Sequence, residues 1–268
     1  MSDEKPPRTT YASYLGLDRI LGAQAPSSGQ HDELLFLIIH QTKELWLKQI
    51  IHELRRAKDQ VRAGTLIPSY KNLARVSRIQ TVMTLSWDIL ATMTPSDYSS
   101  FRATLGTSSG FQSAQFREVE YLLGLKDGGR HLSHHGDHPD VVRGLEEALR
   151  APSLYDEALA QLDAHGLALP DAVLRRDYAQ PYVPSPEVEE AWLQVYRDPA
   201  SYWDLYQLAE KLVDLDDALL TWRHKHVVTV ERIIGGKQGT GGTAGVAYLQ
   251  KTLERRCFPE LWSLRTKL

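Results

Sequence analysis

A histidine on an apolar helix face, followed directly by a glycine-rich loop, is the first feature of this sequence that suggests chemistry. Four residues recur at helical spacing and share that face: Trp222, His226, Val230 and Ile233. The run 227–230 is β-branched, but adjacent apolar Val227 and Val228 break strand alternation and favour a helix. Six glycines lie within 235–245, and Thr240 adds a hydroxyl group. Because glycine lets backbone N–H groups approach an anion closely, helix and loop together predict a corner for a cofactor and an anionic substrate.

Two other interpretations apply to this corner. A single histidine on an apolar face is usually a packed or hydrogen-bonded core residue, so a purely structural role stays open. A nucleotide-binding P-loop requires Gly-Lys-Ser or Gly-Lys-Thr after a strand. Here Gln238 follows Lys237 and the preceding element is a helix, so the sequence does not indicate a nucleotide site.

A second histidine lies inside an apolar helical stretch. Phe36 and His40 are four residues apart and share a helix face. Burial disfavours the charged imidazole, so the pKa of His40 is expected to fall and the ring to stay neutral. The residue is therefore either a core histidine bonded to the backbone or a pocket residue that forms a hydrogen bond with a substrate.

An arginine is the candidate for binding a carboxylate. Tyr98, Arg102 and Leu105 share one face of a short helix that begins at a proline. The forked guanidinium of Arg102 matches a carboxylate, although a surface arginine lying over a tyrosine has the same pattern. Arg102 and the loop around Thr240 would together suit one anionic group.

A histidine-rich segment carries the pattern most typical of a metal site: His131, His134, His135 and His138. Its flanking glycines and Pro139 favour a solvated loop with adventitious metal affinity. The chain has neither an HExxH motif nor a Glu-x-x-His pair, which argues against a zinc protease or a di-iron bundle. The six tryptophans are interpreted as mostly core packing and are assigned no functional role.

Composition restricts the class of protein further. The 268 residues carry a net charge of −3, which gives no sign of a nucleic-acid footprint. Cys257 is the only cysteine, so internal disulfides and a cysteine metal cage are excluded. The polar start predicts disorder over residues 1–10, and it lacks the apolar core of a signal peptide. We expect a cytoplasmic protein.

Helical periodicity dominates the chain, and it predicts one all-α domain, a helical bundle over residues 1–268. The stretch Leu34–Ile39 is apolar all round and is expected to be buried. Ser69 is the expected cap of the second helix, and Pro199 the start of the longest. The predicted helices span 31–64, 69–94, 95–106, 111–123, 141–150, 154–164, 186–197, 199–234 and a last one from 246.

Several long segments resemble the tryptophan 2,3-dioxygenase family. They are TYASYLGLD, HDELLFLIIHQTKELWLKQIIHEL, DYSSFRATLGTSSGFQSAQFREVE, AEKLVDLDDALLTWRHKHVVTVERIIGGKQGTGG and FPELWSLRT. They run in order from residue 11 to residue 266, with a weakly matching middle at about 126–185. The resemblance implies an all-α fold with a haem b pocket, a homotetramer, and L-tryptophan and O₂ as substrates.

The family motifs imply a role for each matching residue. In the WRxxH motif, His226 would be the proximal ligand of the haem iron, whereas His224 is off the motif. In the FxxxH motif, Phe36 and His40 would line the distal face, with His40 near the indole N–H. In the related indoleamine dioxygenases a serine replaces this histidine, so His40 favours the tryptophan-specific branch. Arg102 would bind the substrate carboxylate.

Further positions follow from the same resemblance. Thr240 would contact the carboxylate and ammonium of the substrate, while Tyr98 and Leu105 would complete the pocket. Ser109 and Gly239 would lie beside the haem. The N-terminal YxxYL motif would reach into the site of a neighbouring subunit with three residues: Tyr11, Tyr14 and Leu15.

The implied reaction inserts both atoms of O₂ into the indole ring and yields N-formyl-L-kynurenine. It is the first step of tryptophan degradation by the kynurenine pathway. Two alternative functions from other classes of protein remain: a helical haem sensor or carrier, and a metal-binding protein built on residues 131–138. The sensor explains a histidine and an apolar slot, but it does not explain the convergence of Arg102 and Thr240.

Overall fold

The computed structural model describes residues 9–268, and within that range all regular structure is helical. The predicted all-α class is confirmed. Most of the stretch 1–10, predicted to be disordered, lies outside the described residues. Thr10 lies inside them and caps the first helix, because its hydroxyl accepts a hydrogen bond from the N–H of Ser13 at 3.3 Å.

Thirteen α-helices and four short 3₁₀ segments are present in the described part of the chain. The α-helices are α1 (Tyr11–Leu15), α2 (Leu17–Leu21), α3 (Glu33–Arg62), α4 (Leu66–Leu90), α5 (Pro95–Phe101), α6 (Ala114–Leu123), α7 (Pro139–Arg150), α8 (Leu154–Ala164), α9 (Asp171–Leu174), α10 (Pro186–Arg197), α11 (Trp203–Ile234), α12 (Val246–Thr252) and α13 (Pro259–Ser263).

Three long helices, α3, α4 and α11, form the frame of the molecule. Helix α4 packs along both α3 and α11, and the side chains between them are buried without solvent contact. Examples are Leu54 of α3, Leu73 of α4 and Leu212 of α11. Burying each such leucine contributes about 1.5–3 kcal/mol, so this contact holds the helices in a fixed arrangement. A smaller apolar cluster, at one end of the same three helices, surrounds the candidate site.

Local capping chemistry explains several helix starts. Thr94 and Asp97 form a reciprocal capping box at the start of α5, with Pro95 at the first position. Ser153 and Asp156 form the same arrangement at the start of α8. The predicted starts of these two helices are confirmed, because a few neighbouring residues satisfy the free N–H groups of the first turn.

Two predicted helix starts are wrong. Helix α4 begins at Leu66, and Ser69 lies inside it with its hydroxyl donating to the Leu66 carbonyl at 2.6 Å. Pro68 is tolerated there because the first turn of a helix needs no N–H donor. Helix α11 begins at Trp203, and the segment around Pro199 forms a turn in which the Asp198 carboxylate accepts from the N–H of Ser201 at 3.2 Å.

The expected burial of Leu34–Ile39 is also wrong for a single chain. Ile39 is buried, but Leu34 is 43% exposed and Ile38 is 44% exposed. The segment packs with only one side against the site, and none of the described residues covers its other side. The apolar character that predicted burial therefore remains on the surface.

Within residues 9–268, every helix is too short or too polar to cross a membrane.

Candidate active site

An aromatic cavity of about 280 Å³ opens between α3, α4 and α11 and is closed at one end by the glycine loop. It brings together residues from distant parts of the sequence. Eight of the predicted site residues line it: Phe36, His40, Tyr98, Arg102, Ser109, His226, Gly239 and Thr240. The predicted face of α11 is confirmed as well, since Trp222, Val230 and Ile233 line the same cavity beside His226.

His226 is held in a stack of aromatic rings. Its imidazole lies parallel to the Trp87 indole, with ring centres 4.5 Å apart and an angle of 11° between the planes. The Trp222 ring is tilted by 50° to the His226 imidazole, and the two ring centres lie 5.2 Å apart. Burial, with smaller contributions from Lys43 and His40, lowers the pKa of His226 to about 3, so the imidazole is neutral at pH 7. His224 is exposed on the opposite side of α11.

The interpretation of the tryptophans as mostly core packing holds for Trp87, which is buried, yet two of the six also lie at the cavity. Trp87 and Trp222 line the cavity and contact His226 directly. For Trp222 a sequence signal existed, since it precedes His226 by one helical turn. For Trp87 none did, because its contact with His226 depends on the packing of α4 against α11.

His40 has a defined tautomer. Its Nδ1 atom lies 2.7 Å from the carbonyl oxygen of Phe36. A carbonyl only accepts, so Nδ1 carries the hydrogen in the neutral ring, and Nε2 is left with a free lone pair. Burial lowers the pKa of His40 to about 4, so this neutral form prevails at pH 7. His40 thus offers one hydrogen-bond acceptor, and the Phe36 ring, 4.2 Å from the imidazole, fixes its orientation.

Arg102 and the glycine loop meet as the sequence predicts. A terminal nitrogen of Arg102 donates to the Gln238 carbonyl at 2.5 Å. The Thr240 hydroxyl donates to the Ser108 carbonyl at 2.6 Å, which ties the loop to the segment after α5. The Nε atom of Arg102 is buried and has no hydrogen-bond partner among the described residues. Two donors suited to a carboxylate therefore converge from different parts of the chain.

The close approach of the glycine loop to Ser109 requires glycine at position 241. A Cβ atom at Gly241 would lie 2.6 Å from the Cβ of Ser109 and 2.9 Å from its hydroxyl. Real carbon atoms do not approach to that distance, so any side chain at Gly241 forces the loop away from Ser109. The loop sequence thus determines how tightly Thr240 and Gly239 close the site.

We expect Gly241→Ala to weaken substrate binding, by about tenfold or more, because the loop must shift and carries Thr240 with it. Calorimetric titration with L-tryptophan, the substrate that the sequence resemblance implies, measures the change. Gly236→Ala is the matched control, since a Cβ there meets nothing within 4 Å. Equal affinities for the Gly241→Ala protein and the wild type would show that the loop closes without this contact.

Four predicted residues lie away from the cavity lining. Leu105 packs against the aromatic cluster beside Phe36 and Tyr98, behind the lining residues. Tyr11 and Tyr14 of α1 are 77% and 80% exposed, and Leu15 is exposed beside them. The predicted contact of these three residues with another subunit stays a prediction.

Another wall of the cavity carries a cluster of charged residues that the sequence did not predict. The buried guanidinium groups of Arg117 and Arg223 both bind the single buried carboxylate of Glu120. Arg223 also donates to the carbonyl oxygens of Thr252 and Arg255, each at 3.3 Å. Two guanidinium groups therefore share one carboxylate at this wall of the cavity, which suits an anionic ligand.

The histidine-rich segment does not form a metal site in the described residues. No group of three or more histidine, cysteine or acidic side chains is close enough there to hold an ion. Instead, His131 contacts the Asp127 carboxylate. The rings of His131 and His134 pack at 5.1 and 4.9 Å against Phe111, which lines the cavity. The segment therefore packs behind Phe111 and does not itself line the cavity.

Fold and site define an all-α protein with an aromatic cavity, two neutral histidines at its wall and an arginine beside a glycine loop. A family model described as tryptophan 2,3-dioxygenase matches residues 2–195 and 193–268. The chain belongs to this family.

Individual relatives agree with the family model. A tryptophan 2,3-dioxygenase of Caulobacter vibrioides is 70% identical over 259 residues, which cover 97% of this chain and 98% of the relative. A tryptophan 2,3-dioxygenase of a Polaromonas species is 55% identical over 97% of this chain and 88% of its own length. The tryptophan 2,3-dioxygenase 1 of Ralstonia nicotianae is 52% identical, with the same two coverages.

Proposed function

We propose that this protein is a haem-dependent dioxygenase that inserts O₂ into the indole ring of L-tryptophan and forms N-formyl-L-kynurenine. This reaction is the first step of tryptophan degradation by the kynurenine pathway. The observation that carries the proposal is the convergence of His226, His40, Arg102 and Thr240 on one cavity. Membership of the tryptophan 2,3-dioxygenase family supports it independently.

The donor set of the cavity fits a haem b group. His226 supplies a neutral imidazole, the form that binds iron, and indole rings offer flat apolar surfaces around it. The buried guanidinium groups of Arg117 and Arg223 suit the carboxylates of haem. Buried donors without an acceptor among the described residues point the same way: Lys43 Nζ, Trp87 Nε1, Arg102 Nε and Trp222 Nε1.

The chain's own residues would bind and orient the substrate. Arg102 would bind the carboxylate and Thr240 the carboxylate and ammonium, each exchanging its present carbonyl partner for the substrate. His40 would accept a hydrogen bond from the indole N–H at Nε2, since Nδ1 already donates to Phe36. Phe36 and Tyr98 would contact the indole ring and exclude water from it. Bound haem, with Ser109 and Gly239 beside it, would supply the activation of O₂.

Assembly of four chains would complete the site. The exposed apolar side of α3, with Leu34 and Ile38, and the exposed α1 residues Tyr11, Tyr14 and Leu15 are surfaces that a neighbouring subunit would cover. In a homotetramer α1 would then reach the site of the next subunit. This arrangement accounts for an apolar helix segment that a single chain leaves uncovered. The cytoplasmic location stays a prediction.

A product assay tests the function. Haem-loaded protein, reduced and supplied with L-tryptophan and O₂, is expected to form N-formyl-L-kynurenine, detected by absorbance and mass spectrometry. A haem spectrum without product would favour the haem sensor or carrier. Protein that takes up no haem would refute the proposed cofactor.

We expect His40→Ser to retain turnover, reduced by about tenfold, with an intact haem band. The reason is that His40 provides a single hydrogen bond to a neutral donor, worth about 0.5–1.5 kcal/mol net. Initial rates with L-tryptophan and with 1-methyl-L-tryptophan, which lacks the indole N–H, measure the effect. The variant should discriminate less between the two substrates than the wild type does. Complete loss of turnover with haem retained would mean that His40 takes part in the chemical step.

A further inference from the structure

Lys43 is a buried basic residue in the cavity wall, and the proposed reaction assigns it no task. It follows His40 by three residues, lines the same cavity and is only 6% exposed. Its Nζ atom has no hydrogen-bond partner within the described part of the chain. An isolated buried ammonium group is costly, so a position that retains one suggests a role in the occupied site.

The Lys43 ammonium and the His226 imidazole both contact the indole of Trp87. Nζ lies 2.9 Å from the centre of the Trp87 ring, and the His226 imidazole stacks on that ring at 4.5 Å. The cation and the imidazole therefore contact the same indole side chain. Cation and π-system attract each other, which keeps the charge beside the stack.

We propose that Lys43 raises the reduction potential of the iron bound by His226, so that the haem favours its ferrous state. The inference rests on the proposed function. The ferric centre carries one more positive charge than the ferrous centre, and a nearby cation in a low-dielectric pocket destabilises it. Lys43 acts through the Trp87–His226 stack and is therefore a positioning residue.

Redox titration of the haem-loaded protein tests this role. We compare the wild type with Lys43→Met, which removes the charge at similar length, and with Lys43→Arg, which keeps it. Lys48→Met is the matched control, since Lys48 is an exposed lysine on the same helix. Spectroelectrochemistry at pH 6 suits all four proteins, because burial lowers the pKa of Lys43 to about 7 and the ammonium is protonated below it.

At a fixed electrode potential, we expect the ratio of ferric to ferrous haem in Lys43→Met to exceed that of the wild type by about tenfold. For a one-electron couple this corresponds to a potential lower by about 59 mV. Lys43→Arg and Lys48→Met should have the reduction potential of the wild type.

Three outcomes would overturn the inference. Haem-loaded Lys43→Met with the wild-type potential would show that the charge does not act on the iron. If Lys43→Met does not hold haem, Lys43→Gln replaces it in the titration; loss of haem in both, with retention in Lys43→Arg, would make Lys43 an anchor of the cofactor instead. Failure of the wild-type chain to bind haem would refute the proposed function itself, and the inference with it.

Discussion

His226→Ala is expected to lose haem, with affinity reduced by more than about 100-fold, whereas His224→Ala keeps the wild-type spectrum. The neutral imidazole of His226 is at the cavity wall, in the stack with Trp87, and the His224 side chain is exposed on the other side of α11. Removal of the only proposed protein ligand leaves the iron with weak contacts alone. Haem titration followed in the absorption spectrum measures both affinities.

Added imidazole provides an internal control for this experiment. It fits the space left by the truncated side chain, so millimolar imidazole should restore a haem band to His226→Ala if the fold is intact. Circular dichroism of the variant without haem checks helix content separately. Haem retained by His226→Ala but lost by His224→Ala would contradict the assignment of the ligand.

The second large effect concerns the amino-acid end of the substrate. Arg102→Leu should weaken binding of L-tryptophan by at least about 100-fold, because a carboxylate bound in this cavity loses its charged partner. Tryptamine, which lacks the carboxylate, should bind the wild type poorly and lose little further affinity in the variant. Titration of the haem spectrum with both ligands measures the four affinities.

Arg102→Lys and Thr240→Ala refine the interpretation. Lysine keeps the charge but not the forked donor, so Arg102→Lys should lose less affinity for L-tryptophan than Arg102→Leu does. Thr240→Ala removes one neutral donor, and we expect a loss of about tenfold. Equal weakening of tryptophan and tryptamine by Arg102→Leu would mean that Arg102 only maintains the shape of the pocket.

Helix starts show how far the sequence alone predicts this fold. Those of α5 and α8 were predictable because Thr94 and Ser153 form caps with residues three positions later. The starts of α4 and α11 were not, because Ser69 and Pro199 are favourable start residues in places where packing extends or shortens the helix. Local capping determines where α5 and α8 begin, whereas tertiary contacts determine where α4 and α11 begin.

The candidate site follows the same division. His40, Arg102 and His226 were identifiable because each stands at helical spacing from apolar neighbours or in a family motif. Lys43 and Trp87 were not, since the burial of a lysine and its contact with an indole depend on how α3 packs against α4. The exposed face of α3 is a further case: its sequence predicts that it is covered, but not by which chain.

The hydrogen bonds from Arg102 to Gln238 and from Thr240 to Ser108 have a consequence for selectivity. One terminal nitrogen of Arg102 and the Thr240 hydroxyl each donate to a peptide carbonyl, so an incoming ligand must displace two internal hydrogen bonds to reach these donors. A neutral amide or ester exchanges one such bond for another of similar energy and gains little. A carboxylate adds its negative charge and can accept from two guanidinium nitrogens at once, so it recovers the energy needed to displace the carbonyls. The protein's own backbone thus sets a threshold that free amino acids pass, and that peptides ending in other groups do not.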